Sequence, residues 1–155
     1  VCFRPTVVAD VLPKLNPEEV EDVLTFRGVL EPAAASLATG ARLSPAQRSH
    51  LLKALDEVSR ASTGEYRPKD ARFHVAIAEV VGSPSLAHAV ADVRSKASDL
   101  LDRIPLLEPN LEHSNRQHQD IVDAILRGDV EGAERASQDH LHGTASLLRD
   151  FLAPT

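Results

Sequence analysis

Apolar residues recur every three to four positions along most of the chain, and the gaps between these runs carry helix-capping residues. Asn16-Pro17-Glu18-Glu19 supplies a capping side chain, a proline whose missing N–H is not needed there, and acids at the positive end of a helix dipole. Val20, Leu24, Leu30, Ala34 and Leu37 follow at helical spacing up to Gly40, and Pro32 inside the run predicts a kink or a break. Ser44-Pro45 opens a second helix carrying Leu51, Leu52, Leu55 and Val58, and residues 62–65 read as a loop. A third helix is expected from about Pro68 to Gly82. A fourth starts at Ser83-Pro84, with Leu86, Val90, Val93, Ala97, Leu101 and Ile104 on one stripe. After a connector over 105–109, a fifth runs from about Asn110 to Arg127, and Asp129 caps a sixth that reaches about Phe151. The pattern predicts an all-α fold, an antiparallel bundle of about six or seven helices.

Composition supports this. The 155 residues fit one domain able to bury its own core, and with only 3% aromatics and scarce β-branched runs the balance favours helix. Residues 1–15 differ: they hold two prolines, Pro5 and Pro13, and no helical period. They read as a linker or the tail of a preceding domain, and a chain opening on Val1 there is expected to be a fragment. Cys2 is the single cysteine, so no internal disulfide framework exists and a reducing, cytoplasmic setting is expected. No apolar run approaches the ~18 residues of a membrane span. The net charge of −6 argues against nucleic-acid contact by these residues themselves.

Candidate chemistry lies in polar groups on faces that ought to be apolar. At about 100° per residue, Asp70, His74, Ile77 and Val81 fall within about 40° of one another, so Asp70 and His74 project side by side from the inward stripe. His118 shares the fifth helix's inward stripe with Leu111, Ile121, Val122 and Ile125. His140 shares the sixth helix's stripe with Ala133, Ala136, Thr144, Leu147 and Phe151. His118 and His140 each lie eleven positions from Asp129, hence at one height of a helical hairpin, roughly 16 Å from its turn. Singly, an inward histidine is ordinarily a hydrogen-bonded core residue, and Asp70 ordinarily a first-turn acid. Four such groups on three helices are costly to bury without a common purpose. Together they form an N/O donor set for one divalent ion, zinc first, with nickel, manganese, cobalt or iron also admissible. His50, His88, His113 and His142 are placed toward the polar side.

Arg27 sits on the first helix's buried stripe, with Glu31 one turn on as an ion-pair partner. Its alternative role is to fork onto a small carboxylate effector that also touches the metal. Arg94, on a stripe with Val90, Ala97 and Leu101, and Asn115, one turn before His118, are candidates for the same effector; Asn115 equally suits a solvated position.

Phe26-Arg27-Gly28-Val29-Leu30-Glu31-Pro32-Ala33-Ala34, Asp70-Ala71-Arg72-Phe73-His74, His118 with Ala124-Ile125 and Gly128-Asp129, and His140-Leu141 resemble the FCD domain of FadR-type GntR regulators. The likeness covers residues 16–155. It implies that Asp70, His74, His118 and His140 hold a metal, that Arg27 lies at the effector pocket, and that the effector is a small organic or sugar acid. It further implies a homodimer and an N-terminal winged helix-turn-helix that binds operator DNA. That domain is missing from this sequence, and Phe3-Arg4-Pro5 matches the end of its wing. The acyl-CoA-binding branch lacks the metal set, which argues against a fatty-acyl effector. The expectation is therefore a sensing domain and not an enzyme. A metal-dependent hydrolase and a purely structural dimerisation domain are the rival readings; neither a Glu-x-x-His pair nor a zinc-protease motif supports the first.

Overall fold

The computed structural model describes residues 16–152, and the readings placed on residues 1–15 lie outside them. Six helices follow in order: α1 Pro17–Gly40, α2 Pro45–Ser59, α3 Tyr66–Glu79, α4 Pro84–Leu101, α5 Glu108–Leu126 and α6 Val130–Leu152. They form an all-α bundle in which α1 packs along α6 and α4, α3 against α4 and α2, and α5 against α6. Among the described residues no helix is long and apolar enough to cross a membrane.

The predicted caps are largely present. Asn16 accepts from the Glu18 amide, and Ser44 with Gln47 forms a capping box at the head of α2. Asp129 accepts from the Gly132 amide at 2.9 Å. Gly82 and Gly128 adopt φ of +83° and +77°, the left-handed conformation that lets α3 and α5 end in tight turns.

Several expectations need correction. α1 continues unbroken through Pro32. A proline inside a helix clashes with the carbonyl four residues back. Here that residue is Gly28, which is exposed, so its carbonyl is free to tilt toward water. Leu37 and Phe151, read as core residues, are 54% and 47% exposed, and Leu52 is also on the surface. The buried positions of α1 include Val20, Val23, Leu24, Ala34, Ala35 and Ala38, with Arg27 and Glu31 between them. α3 and α5 begin two residues earlier than expected, with Pro68 and Pro109 tolerated in their first turns.

The apolar interior is divided. One cluster joins Ala34, Ala35 and Ala38 of α1 to Leu51, Leu55 and Val58 of α2, Phe73 and Ile77 of α3, and Ile121, Val122 and Ile125 of α5. A smaller cluster joins Val20, Val23 and Leu24 of α1 to Val93, Ala97, Leu100, Leu101 and Ile104 around α4 and Leu148 of α6. Along α1, Arg27 and Glu31 fall between the residues given to the two clusters, and they are part of a buried polar layer.

Candidate functional site

The layer collects side chains from five helices: Arg27 and Glu31 of α1, Asp70 and His74 of α3, Arg94 of α4, His118 of α5 and His140 of α6, all buried. The i, i+4 spacing on α3 turns Asp70 and His74 to the same side, and the tight turn at Gly128 sets His118 opposite His140. His118 Nε2 lies 3.1 Å from Asp70 Oδ1 and 3.2 Å from His140 Nε2; His74 Nε2 lies 3.5 Å from Asp70 Oδ1. One donor atom from each of the four residues falls within 4.8 Å of all the others.

The outer ring nitrogens fix which way these imidazoles face. His140 Nδ1 is 2.9 Å from Gln117 Oε1, and His74 Nδ1 is 3.0 Å from Glu31 Oε1. Both oxygens accept, so each Nδ1 donates, and each Nε2 is left with a lone pair directed at the cluster. A lone pair on His140 Nε2 facing His118 Nε2 needs a proton or a cation between them. Donors sharing a tetrahedral ion at about 2.0–2.1 Å sit about 3.3 Å from one another, close to the three separations above. The set thus fits a metal by chemistry and by spacing: a buried Asp/His3 group able to hold one.

The electrostatics divide the layer further. Burial alone would raise the carboxyl pKa of Asp70, but Arg94 first, and then the neighbouring imidazoles of His118 and His74, hold it well below the usual range. Glu31 is likewise held down against its burial by Arg94, Arg27 and His74. Burial pushes His118 below an ordinary imidazole. It pushes His140 further down, with added repulsion from His118 and His74. Arg27 Nε binds Glu31 Oε2 at 2.6 Å. Arg94 makes a short contact to Asp70 Oδ2 and lies 3.6 Å from Glu31 Oε1. The two guanidiniums and the two carboxylates balance in formal charge.

The sequence-predicted residues do not all converge. Asp70, His74, His118 and His140 come together. Arg27 and Arg94 lie beside them, already paired with carboxylates, though Arg27 Nη1 has no hydrogen-bond partner. Asn115 is half-buried and accepts from the Tyr66 hydroxyl at 3.4 Å, outside this cluster of contacts. His50, His88, His113 and His142 are exposed, as expected. Sequence reasoning missed Gln117 and the reach of Glu31 to His74. Gln117 sits beside His118 as an ordinary polar residue, and the Glu31–His74 contact depends on α1 lying against α3, which periodicity does not encode. A cavity of about 140 Å³ adjoins the layer, lined by His140, Gln117, Thr144, Ser114, Tyr66 and Leu111 among others.

Comparison with known proteins agrees with this architecture. The model of the FCD domain family matches residues 22–143. A protein of Escherichia coli (strain K12), provisionally named as an L-lactate dehydrogenase operon regulatory protein, is 26% identical over 150 residues, covering 94% of this chain and 56% of that one. The HTH-type transcriptional repressor NanR of Cronobacter sakazakii is 35% identical over 124 residues, covering 77% of this chain and 45% of that one. The structure of E. coli McbR/YncC superposes with a TM-score of 0.77 at 17% identity, over 92% of this chain and 69% of that one, a likeness of fold. The chain spans about half the length of the curated relatives it matches. With the family model covering most of the described helices, this chain belongs to the FCD domain family of transcriptional regulators.

Proposed function

We propose that this domain is the effector-sensing part of a cytoplasmic transcription regulator, in which a divalent ion and Arg27 together receive a small carboxylate. Asp70, His74, His118 and His140 would hold the ion, zinc first. When bound, the metal supplies a Lewis-acidic centre for a carboxylate oxygen. Glu31 and Gln117 orient His74 and His140 by accepting from their outer nitrogens. Arg94 keeps Asp70 ionised and positioned.

One observation carries the reading: the layer is already electrically balanced by Arg27, Arg94, Glu31 and Asp70. A divalent ion added to these four charges, which sum to zero, leaves a buried surplus of two positive charges, and that calls for an anion. The unpartnered Arg27 Nη1 is a donor for such an anion. The adjoining cavity, about 140 Å³, suits an organic acid of a few carbons better than a fatty-acyl group. The name of the E. coli relative ties that protein to an L-lactate dehydrogenase operon, which makes a short hydroxy acid the first candidate here. Arg94 is assigned to holding Asp70, and Asn115, which accepts from the Tyr66 hydroxyl, to positioning Tyr66 at the cavity rather than to direct effector contact.

DNA contact is assigned to an N-terminal winged helix-turn-helix, because a domain of charge −6 is a poor partner for phosphate. Palindromic operators need two matching readers, so the regulator is proposed to act as a homodimer. The test is calorimetric titration of lactate, other hydroxy acids, dicarboxylates and sugar acids into metal-loaded and chelated protein. Binding should need metal and should weaken in Arg27→Ala. Tight carboxylate binding unaffected by chelation and by Arg27→Ala would overturn the proposed bridge.

A further inference from the structure

Arg27 and Arg94 are matched by carboxylates inside the polar layer. A third arginine, Arg67, lies one turn before Asp70 on α3 and is not matched in that way. Positions 67, 70 and 74 are spaced i, i+3, i+7, so Arg67 continues the stripe of Asp70 and His74, about 4.5 Å further toward the start of the helix. Only 18% of its side chain is exposed. Its Nη2 donates to the Leu101 carbonyl at 3.1 Å. Among the described residues, the one carboxylate within ion-pair reach is that of exposed Asp102, whose Oδ1 stands 3.8 Å from Arg67 Nε. A guanidinium carries five N–H donors, and these two contacts use a minority of them. Desolvation is the largest influence on Arg67 and works against its charge; Asp70 and Asp102 do not fully offset it.

Arg67 lines the same cavity of about 140 Å³ as His140. Together with Pro105 and Leu106 it also lines the open cleft outside, so it stands at the boundary between the two. Among the described residues no Asp or Glu lines that cavity, although acids outnumber Lys and Arg by 23 to 17 in the chain. The wall groups able to carry positive charge are Arg67, His113 and His140, and Ser114 and Thr144 add hydroxyls. A wall with cationic and hydroxyl donors and no acid is made to receive an anion.

We propose that Arg67 binds a second acidic group of the effector, which makes the ligand a short dicarboxylate. One carboxylate meets the metal and Arg27, and the other meets Arg67 at the cavity mouth. A hydroxyl on the carbon next to the first carboxylate is compatible with this, so the class is hydroxy acids that carry a second acid. A guanidinium takes a carboxylate through two parallel N–H···O bonds, whereas a methyl at that end leaves Arg67 with Asp102 alone. The surplus of two positive charges that a divalent ion brings is also only half met by a single carboxylate. Asp102 stands in for the ligand when the cavity is empty. It is the C-cap of α4, where the helix dipole disfavours an acid, and Arg67 is the cation that offsets this.

The inference rests on the carboxylate reading above and adds the far end of the molecule. The test is calorimetric titration of the zinc-loaded 155-residue chain with malate and with 2-hydroxybutyrate, which is malate with its far carboxylate replaced by a methyl group. Malate should bind more tightly by roughly tenfold or more, as expected for hydrogen bonds between charged partners. Arg67→Gln should erase that preference, and Arg67→Lys should keep part of it, because the charge stays while the fork is lost. Asp102→Asn removes the competing carboxylate from an exposed position and should strengthen malate binding selectively; it serves as the test if Arg67→Gln does not fold. Zinc content, measured on every variant, separates a lost metal site from a lost second contact. If neither acid binds, the carboxylate reading and the second contact both fall. Equal, zinc-dependent binding of the two acids overturns the dicarboxylate and leaves the carboxylate reading standing. A malate preference that survives Arg67→Gln, or that Asp102→Asn leaves unmoved where the Arg67 variant fails to fold, overturns the role of Arg67.

Discussion

The buried polar layer has two sides that solve the same problem differently. On one side, Arg27, Glu31 and Arg94 make a chain of ion pairs in which every charge has an opposite neighbour. On the other, His74, His118 and His140 present ring nitrogens to one another with Asp70 as the shared carboxylate. Ion pairs can satisfy themselves in a dry interior; facing lone pairs cannot, and they gain only when a cation enters. The contrast teaches how a rigid receptor site can be built. The charged side holds the shape, and the nitrogen side, where burial disfavours a charge on His118 and His140, offers donors that could hold an ion.

The comparison predicts unequal responses to substitution. The largest effect is expected for Glu31→Ala, which leaves Arg27 and Arg94 buried with Asp70 as the remaining acid. Removing one partner from a buried ionic network costs about 3–5 kcal/mol, and a urea titration of metal-free protein should show that loss. If Glu31→Ala unfolds at the wild-type midpoint, the charged side does not hold the shape.

Next comes the gain from metal. Zinc at a hundred times its dissociation constant should stabilise the wild type by about 2.7 kcal/mol, read as a rise in melting temperature. The His118→Ala, His140→Ala double variant should lose that gain together with its metal content. Full stoichiometric metal retained in the double variant would sink the four-residue site.

Gln117 distinguishes support from ligation. Replacing it with Leu removes the acceptor at His140 Nδ1 and should weaken metal affinity by about 10–100-fold, a typical cost for an outer hydrogen bond of a ligand. Competition with a chromophoric chelator measures this directly, and an unchanged affinity would show that His140 is oriented by packing.

A smaller effect should appear with pH. His118 and His140 have folded-state pKa values below the unfolded value near 6.5, so below about pH 6.5 the unfolded chain takes up protons that the folded chain refuses. Metal-free stability should therefore fall as pH drops from about 6.5, by at most about 1.4 kcal/mol per pH unit for each imidazole. A flat profile between pH 7 and 5 would contradict the buried, neutral state of the nitrogen side.

Legibility in the sequence followed the same division. The nitrogen side could be read because α5 and α6 form a tight hairpin, where distance from Gly128-Asp129 fixes height, and because Asp70 and His74 share one helix. Helix count and most caps were readable for a similar reason: they depend on neighbours along the chain. The charged side was harder. Arg27 and Glu31 pair locally and were visible, but the reach of Glu31 to His74 and of Arg94 to Asp70 depends on how α1, α3 and α4 pack. α1 also misled at Leu37, which follows the helical spacing of the inward stripe yet is exposed, because the second half of the interior face is built of Ala34, Ala35 and Ala38. A rule that sends large apolar residues inward misplaces Leu37, which is 54% exposed.

The split interior bears on which parts of the domain come apart together. Backbone amides near Val20–Leu24, around Val93–Ile104 and around Leu148 depend on the smaller apolar cluster, which only α1, α4, the turn after α4 and α6 supply. Such a block can open without disturbing the larger one, so its amides are expected to exchange with solvent deuterium through a local event rather than through global unfolding. Helices α1, α4 and α6 reach from that block into the polar layer through Arg27, Arg94 and His140. An ion clamped among the histidines would therefore slow exchange at amides beyond its direct contacts, and the start of α1 is where residues 1–15 join the domain. The cohesion of that weaker block becomes a quantity that ligand concentration sets, delivered at the place where the preceding residues attach.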